Sequence, residues 1–428
     1  MLKNYLLTAY KVLLRRKFFT FISLAGISLT LMILIVFAAY FENMLGTIPP
    51  ESRGDRILWT SNLTFTRDGG NMMSMSKPGY QFLTEYINFK TLPHIERASI
   101  FSGIQTVEGV YRGRMFKLER KQTEGDFWTI LDFTFLEGGP YTPDDERNAN
   151  FVAVINETVR RKVFGRGNAV GETVTIDGQD FRVVGVVEDV PSYRTIPFAE
   201  VWVPVTTAKT NAYLNDGALG SFYGIVLAGS REVIPLIREE YRTRVSRYDY
   251  PRYNDYETAE GDIRTFFESM SEQITGRVSR QLSANYFATD LFPSSQLMVR
   301  ILGLVLLFML LPALNLVNIN LSRIMERSSE IGVRKAYGAS SWDLVGQFLV
   351  ENIILTFLGG FIGLALSLLF LRGFAALDFI PYGQLRFNGW VFFYGFIATL
   401  VFGVLSGVYP AWKMSRYHPV EALRRSPL

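Results

Sequence analysis

Four long apolar windows dominate the pattern of hydrophobic and polar positions. None contains Asp, Glu, Lys or Arg, and they run from Phe18 to Phe41, Ile301 to Ser322, Asn352 to Leu371, and Phe387 to Trp412. Each has about 20 residues or more, enough for a helix to cross the roughly 30 Å hydrocarbon core of a bilayer. The pattern therefore predicts an α-helical membrane protein with four transmembrane helices in contact with membrane lipid.

The first window has an alternative interpretation as a secretory signal peptide, because Arg15, Arg16 and Lys17 precede it. However, its apolar run is longer than a signal h-region, and no clear small-residue cleavage site follows it. We therefore expect a retained anchor. Residues 1–17 alternate apolar and basic positions at helical spacing, which favours an amphipathic helix on the membrane surface over a simple basic anchor.

Lys and Arg near the window ends set the expected orientation. They concentrate before the first window, after the second and behind the fourth, whereas the loop between the third and fourth has only Arg372 and Arg386. Loops rich in Lys and Arg stay in the cytoplasm. Both termini are therefore expected to be cytoplasmic, and residues 42–300 to lie outside the cytoplasm.

The segment 42–300 mixes strand and helix patterns and predicts an extracytoplasmic α+β domain. Residues 152–155 are continuously apolar, as in a buried strand, and Asn156 then starts a helix that ends near Gly165. The alternating runs 172–176 and 181–187 flank Asp177 and Gly178, which is a hairpin signal. A further strand is expected over 200–205, and helices over 77–89, 231–247 and 259–280.

The predicted organisation follows the chain in order. It comprises a cytoplasmic amphipathic helix at 1–17, transmembrane helices at 18–41, 301–322, 352–371 and 387–412, the outer domain at 42–300, a cytoplasmic loop at 323–351, a short outer loop at 372–386 and a cytoplasmic tail at 413–428.

The residue types that carry most catalysis and metal binding are scarce. The chain has no Cys and only two His, His94 and His418, which the predicted topology puts on opposite sides of the membrane. Thiolate chemistry is therefore excluded, and zinc sites or Ser-His nucleophiles are poorly supported. The acidic run Asp144, Asp145 and Glu146 is expected to be a solvated surface. We therefore predict that the chain has no catalytic, metal-binding or cofactor-binding residue. We expect a non-catalytic membrane protein and not an enzyme.

Charge and motif content also bear on partners. The net charge of +4 is explained by the cytoplasmic flanks and gives no reason to expect nucleic acid. The phosphate-binding pattern G-x-x-x-x-G-K-[ST] is absent. If ATP and Mg²⁺ drive this protein, another polypeptide binds them.

Small and polar residues inside the windows predict how the helices pack. The second window contains Pro312, which favours a kink, and three amides that are expected to bond across helices, Asn315, Asn318 and Asn320. A substrate path is the alternative for these amides. Two pairs of glycines have the spacing that lets helix backbones approach closely, Gly359 with Gly363 and Gly403 with Gly407.

A short charged segment, Ser328 to Ser341, predicts a helix of about two turns between the second and third windows. Glu330 suits its first turn, Arg334 and Lys335 suit its last turn, and Gly338 suits the position after it. On physical grounds alone a solvated connecting helix is favoured over a partner-binding one. Two turns are marginal in isolation, so neighbours or a partner are expected to order the helix.

Several stretches of the chain resemble one known family. Residues 330–340 read EIGVRKAYGAS, residues 407–411 read GVYPA, and residues 418–424 read HPVEALR. They resemble the MacB/FtsX-type ABC transporter permeases, and so do the outer-domain sequence motifs at 152–157, 164–165, 170–172 and 184–187. The resemblance covers the whole chain. The family's usual pattern is close to E-I-G-[VI]-R-[KR]-A-[LI]-G-A, so Tyr337 is a mild departure.

The resemblance implies a partner and a mechanism. Two such permease chains, alike or different, pair in the bacterial inner membrane, and each binds a cytoplasmic ABC ATPase that holds ATP and Mg²⁺. ATP-driven motion passes through the spans to the periplasmic domain. The implied docking residues of the coupling helix are Glu330, Ile331, Gly332, Val333, Arg334, Lys335, Ala336 and Gly338.

The expected function is export or efflux, with a periplasmic adaptor and an outer-membrane channel as further partners in some members. MacB itself carries a fused ATPase, whereas this chain begins with its amphipathic helix, so a separate ATPase is expected. A lipoprotein-release permease and a membrane sensor or scaffold that regulates a periplasmic partner remain alternatives.

Overall fold

A computed structural model describes two compact units. The membrane unit comprises Met1–Asn43, Ser295–Phe379 and Leu385–Leu428, and the outer unit comprises Met44–Ser294 and Ile380–Gln384. The residues that the structure describes are 15, 17–60, 62–67, 72–165, 167–215, 217–248, 257–269, 303, 307, 333, 337, 340–376, 382, 389–390, 392–397, 400, 401 and 404.

The elements are numbered in chain order. The helices are α1 Lys17–Leu45, α2 Phe127–Ile130, α3 Pro143–Arg147, α4 Glu157–Val159, α5 Ile234–Ser246 and α6 Ser341–Ala376. The strands are β1 Ile57–Thr60, β2 Leu63–Arg67, β3 Met72–Pro78, β4 Ile95–Ser102, β5 Gln105–Tyr111, β6 Arg114–Thr123, β7 Phe135–Gly138, β8 Val152–Asn156, β9 Thr173–Ile176, β10 Gln179–Val187, β11 Val201–Pro204, β12 Leu219–Gly220, β13 Phe222–Ala228, β14 Thr258–Glu260 and β15 Ile263–Arg264. Short helical turns of other types occupy Phe82–Tyr86, Phe89–Thr91, Arg160–Phe164, Val205–Thr207 and Asn211–Asn215.

Two helices of the described chain are long and apolar enough to cross a membrane. They are Thr20–Asn43 within α1 and Leu349–Phe374 within α6, and they correspond to the first and third predicted spans. The structure describes only residues 303 and 307 of the second predicted span, and residues 389–390, 392–397, 400, 401 and 404 of the fourth, all of them helical. Most of the N-terminal amphipathic helix and the three amides of the second span lie outside the described residues. The four-span topology therefore stays a prediction.

The outer unit contains a small closed barrel. Six strands follow one another in the order β6, β11, β8, β10, β9 and β5, and β5 pairs with β6 to complete the circuit. The sheet continues from β6 through β4, β13 and β1 to β15, and a separate four-stranded sheet has the order β12-β3-β2-β14. The outer unit is thus α+β, as predicted, with strands as its main component.

Strand alternation divides the core of the outer unit into three apolar clusters. In β8, Val152 and Val154 belong to a central cluster, whereas Ala153 and Ile155 point into the barrel. In β13, Ile225 contributes to the central cluster and its neighbour Val226 to a third cluster that includes α5. Successive side chains of a strand face opposite sides, so these two strands each separate two cores.

Most local predictions for the outer unit are confirmed. The strand at 152–156 is wholly buried, and Asn156 caps the following helix through Oδ1, which accepts from the Val159 backbone N–H at 2.8 Å. Asp177 and Gly178 have φ of 51° and 76° in the turn between β9 and β10, the geometry that a two-residue hairpin turn requires. The helix predicted over 231–247 is α5.

Two helix predictions need correction. The helix predicted from residue 77 begins only after Pro78, because residues 72–78 form β3 against β2. The helix predicted from residue 259 is wrong at its start. Thr258–Glu260 instead pairs antiparallel with β2, and Ile263–Arg264 pairs with β1. Pairing with another strand overrides local helical spacing in both places, and in the second place that strand is distant in sequence.

Candidate functional site

The predicted coupling helix is described at one of its eight docking residues. Val333 is helical and 45% exposed. Its carbonyl accepts a hydrogen bond of 3.1 Å from the backbone N–H of Tyr337, which is 90% exposed. The remaining docking residues lie outside the described residues, namely Glu330, Ile331, Gly332, Arg334, Lys335, Ala336 and Gly338.

Val333 and Tyr337 are one helical turn apart and therefore share a face. A nearly fully exposed tyrosine beside an exposed valine supplies the apolar area and the polar tip that protein interfaces favour. In the sequence Tyr337 is only a departure from the family motif, and it is not among the predicted docking residues. The available signal was an aromatic side chain at the end of a short charged segment.

A continuous helix follows this segment. α6 begins at Ser341 and runs for 36 residues without interruption, about 54 Å at 1.5 Å per residue. Its first turns precede the apolar window, and Gln347 donates to Glu351 at 3.2 Å one turn later. One helix therefore extends from the end of the charged segment into the third predicted span.

The glycine pair of α6 lies against α1. A Cβ added at Gly363 would lie 2.8 Å from the backbone oxygen of Ser28 and 3.1 Å from the Leu31 Cβ. A Cβ added at Gly359 would lie 2.7 Å from Ile27. The two helices thus approach closely at these glycines, as the sequence predicted. Gly403 and Gly407 lie outside the described residues.

The acidic run of the outer unit is not uniformly solvated, which corrects the prediction. Asp144 is exposed and pairs with Arg147. Asp145 forms a capping box with Thr142. Glu146, by contrast, is partly buried, and its carboxylate accepts from the Gly125 backbone N–H at 2.6 Å.

A buried carboxylate lies close to Glu146 and interacts with it electrostatically. Glu124 accepts from Lys90 Nζ at 2.9 Å, from the Tyr80 hydroxyl at 3.1 Å and from the Ile100 backbone N–H at 2.7 Å. Burial raises the pKa of Glu124. Burial, and secondarily the charge of Glu124, raises the pKa of Glu146 to about 7. Within the fold these contacts give both carboxylates hydrogen-bond donors.

The described part of the outer unit shows no group of three or more His, Asp or Glu side chains placed to hold a metal ion. His94 is exposed in its loop, and His418 lies outside the described residues.

Comparison with known proteins agrees with this division of the chain. Residues 20–243 match the MacB-like periplasmic core domain, and residues 302–419 match the FtsX-like permease C-terminal domain. Together the matches define a membrane permease with a large periplasmic domain. The chain belongs to the MacB/FtsX-type ABC transporter permeases.

Curated relatives show the same likeness. The chain is 30% identical over 299 residues to the macrolide export ATP-binding/permease protein MacB of Burkholderia cenocepacia, covering 68% of this chain and 39% of that protein. It is 27% identical over 305 residues to MacB of Escherichia coli K12, covering 70% and 42%. The periplasmic region of MacB from Actinobacillus actinomycetemcomitans aligns with 52% of this chain and 94% of that chain, with 14% identity and a TM-score of 0.37. The chain spans about two fifths of the length of the curated relatives it matches.

Proposed function

We propose that this chain is the permease subunit of an ABC exporter and that it transmits ATP-driven motion from a separate cytoplasmic ATPase to its periplasmic domain. The observation that carries the proposal is the permease match over residues 302–419, which contains the segment where Val333 and Tyr337 form an exposed helical face. ATP and Mg²⁺ would be bound by the ATPase. The matched relatives are named macrolide export proteins, which favours efflux as the form of transport.

The proposed topology puts both termini in the cytoplasm. The loop between the third and fourth spans would then lie on the same side as the outer domain. Its grouping with the outer unit supports this assignment, because Ile380–Gln384 clusters with Met44–Ser294.

Further partners are proposed from the family. A second permease chain, identical or different, would complete the membrane part, and a periplasmic adaptor with an outer-membrane channel would receive the exported substrate. Apolar side chains on α1 and α6 remain exposed in the single chain, including Phe21, Leu29, Phe361 and Leu369. Such a surface suits lipid or a second permease chain.

Charge reversal of the coupling helix tests the proposal. The tagged chain would be extracted from its own host in mild detergent, and Mg-ATP hydrolysis in the purified fraction would be measured. Glu330→Lys and Arg334→Glu are expected to lose most of the co-purifying ATPase, whereas Glu108→Lys, an exposed charge on β5 of the outer unit, is expected to keep it.

The outcomes distinguish whether an external ATPase binds the chain from whether it binds at the coupling helix. If the wild-type chain carries no ATPase, the proposed external ATPase is wrong. If the wild-type chain carries ATPase and both coupling-helix variants retain it in full, the docking assignment alone is wrong.

A further inference from the structure

Two short stretches of the outer unit adjoin residues of the membrane unit along the chain. The first is the segment from residue 44 to residue 51, which begins in the last turn of α1. The second is Ile380–Gln384, whose flanking residues on both sides belong to the membrane unit. Any motion of the spans reaches the outer unit through connections of this kind.

Arg194 holds the first stretch. Its guanidinium donates to the Gly46 carbonyl at 2.8 Å, to the Ile48 carbonyl at 3.3 Å and to the Glu51 carboxylate at 2.9 Å. The side chains of Arg194 and Glu51 are only 2% and 4% exposed. One buried side chain therefore fixes the backbone that leaves α1, and water does not compete for these bonds.

Residues a few positions after Arg194 hold the second stretch. The Tyr382 hydroxyl donates to the Glu200 carboxylate, and its ring lies 5.6 Å from the Phe198 ring, centroid to centroid. Tyr382 has φ of 61°, a left-handed conformation that is unfavourable for a bulky residue and that surrounding contacts must maintain.

Residues 194–200, here named the clamp segment, are themselves fixed to the barrel. Lys121 of β6 donates from Nζ to the Thr195 carbonyl at 2.8 Å and also to the Ile196 carbonyl. Glu200 exchanges two bonds of 2.8 Å with the Glu119 backbone. The segment then continues directly into β11, which pairs in parallel with β6.

We propose that the clamp segment is the point at which motion enters the periplasmic domain. Arg194 at one end holds the exit of the first span, and Glu200 at the other end holds the loop between the third and fourth spans. Because both connections meet in one buried segment tied to β6 and β11, displacement of either would move the same wall of the barrel. This inference rests on the proposed function, since it presupposes that ATP-driven motion reaches the outer unit.

The test compares hydrogen–deuterium exchange in the full chain, purified with its ATPase, with and without Mg-ATP and orthovanadate. The measured quantity is the nucleotide-dependent change in exchange over residues 114–123 and 194–204. Tyr382→Phe removes one hydrogen bond to a charged acceptor, which makes opening of that contact about tenfold more frequent. Arg194→Lys keeps a charge beside Glu51, but one ammonium nitrogen then replaces the two guanidinium nitrogens that share the Gly46, Ile48 and Glu51 acceptors.

Matched controls come from the same unit. Tyr111→Phe removes a Tyr–Glu bond of 3.0 Å to Glu172, and Arg244→Lys replaces an arginine that bonds the carbonyls of Ile87 and Asn88 at 3.0 Å. Neither control touches the clamp segment or the two stretches joined to the spans.

The expected result is a nucleotide-dependent change in wild type and in both controls, and its loss in both clamp variants while the ATPase remains bound. If wild type shows the change and Tyr382→Phe retains it in full, the clamp is refuted and transmission stands. If wild type shows no change anywhere in the outer unit, the proposed transmission fails and the clamp with it. Should Arg194→Lys not fold, Tyr382→Phe decides between these outcomes.

Discussion

Replacing Gly363 by alanine tests whether α1 and α6 are held together by direct backbone approach. The added methyl group would lie 2.8 Å from the Ser28 backbone oxygen and 3.1 Å from the Leu31 Cβ. Neither atom is the free end of a flexible side chain, so the helices themselves must separate. Gly373 in the same helix has no heavy atom within 4 Å of such a methyl group, which makes Gly373→Ala the matched control.

The magnitude follows from two opposing effects. Forcing a methyl group into a filled contact costs about 1–3 kcal/mol, and replacing glycine by alanine inside a helix gains about 1 kcal/mol. Gly373→Ala should show only the gain. The two variants should therefore differ by about 1–3 kcal/mol in the free energy of unfolding, or roughly 5- to 150-fold in the unfolding equilibrium.

Unfolding of the full chain by SDS in mixed micelles, followed by tryptophan fluorescence, measures this difference. Gly363→Ala should unfold at a lower SDS fraction than wild type, and Gly373→Ala at the same or a higher one. Equal stability of the two variants would refute the close approach of the two helices.

Three further changes probe other parts of the chain. Burial raises the pKa of Glu146 in the folded state to about 7, above its ordinary value of 4.5. The stability that this group contributes is therefore fully present below pH 4.5 and is lost as the pH rises to 7. Glu146→Gln should make the fall in unfolding temperature between pH 4.5 and 7 shallower, and an unchanged slope would contradict the assignment. Phe181→Ala removes a fully buried ring from the barrel core and should lower the free energy of unfolding by about 3–5 kcal/mol. Met115→Ala, at a 69% exposed position, should change it by no more than about 0.5 kcal/mol. Chemical denaturation of both variants measures these two values. Tyr337→Ala should leave thermal stability unchanged but reduce co-purifying ATPase by about tenfold if this exposed ring is an interface anchor, and undiminished ATPase would exclude Tyr337 from the interface.

Short-range patterns were sufficient for much of the fold. The buried strand at β8, the cap at Asn156 and the turn at Asp177 and Gly178 each depend on residues within a few positions of one another, and the structure confirms all three. The glycine spacing in α6 likewise predicted a close helix contact, because small residues four apart share one helix face.

The pattern of hydrophobic and polar residues could not predict which distant parts of the chain come together. Residues 258–260 have helical spacing but form a strand, since β2 offers them a partner nearly two hundred positions earlier. Glu146 belongs to an acidic run that looks solvated, yet the fold brings it beside Gly125 and Glu124.

The sequence by itself determined the membrane character of the chain and its family motifs, and it predicts where the coupling helix lies, because hydropathy and motif spacing are local properties. Only the tertiary structure closed the barrel through β6 and β11 and brought Arg194 and Glu200 to the two stretches that join the spans. Those contacts link residues more than 80 positions apart. Their partners are fixed by how the strands pack, and no local pattern in the chain encodes that choice.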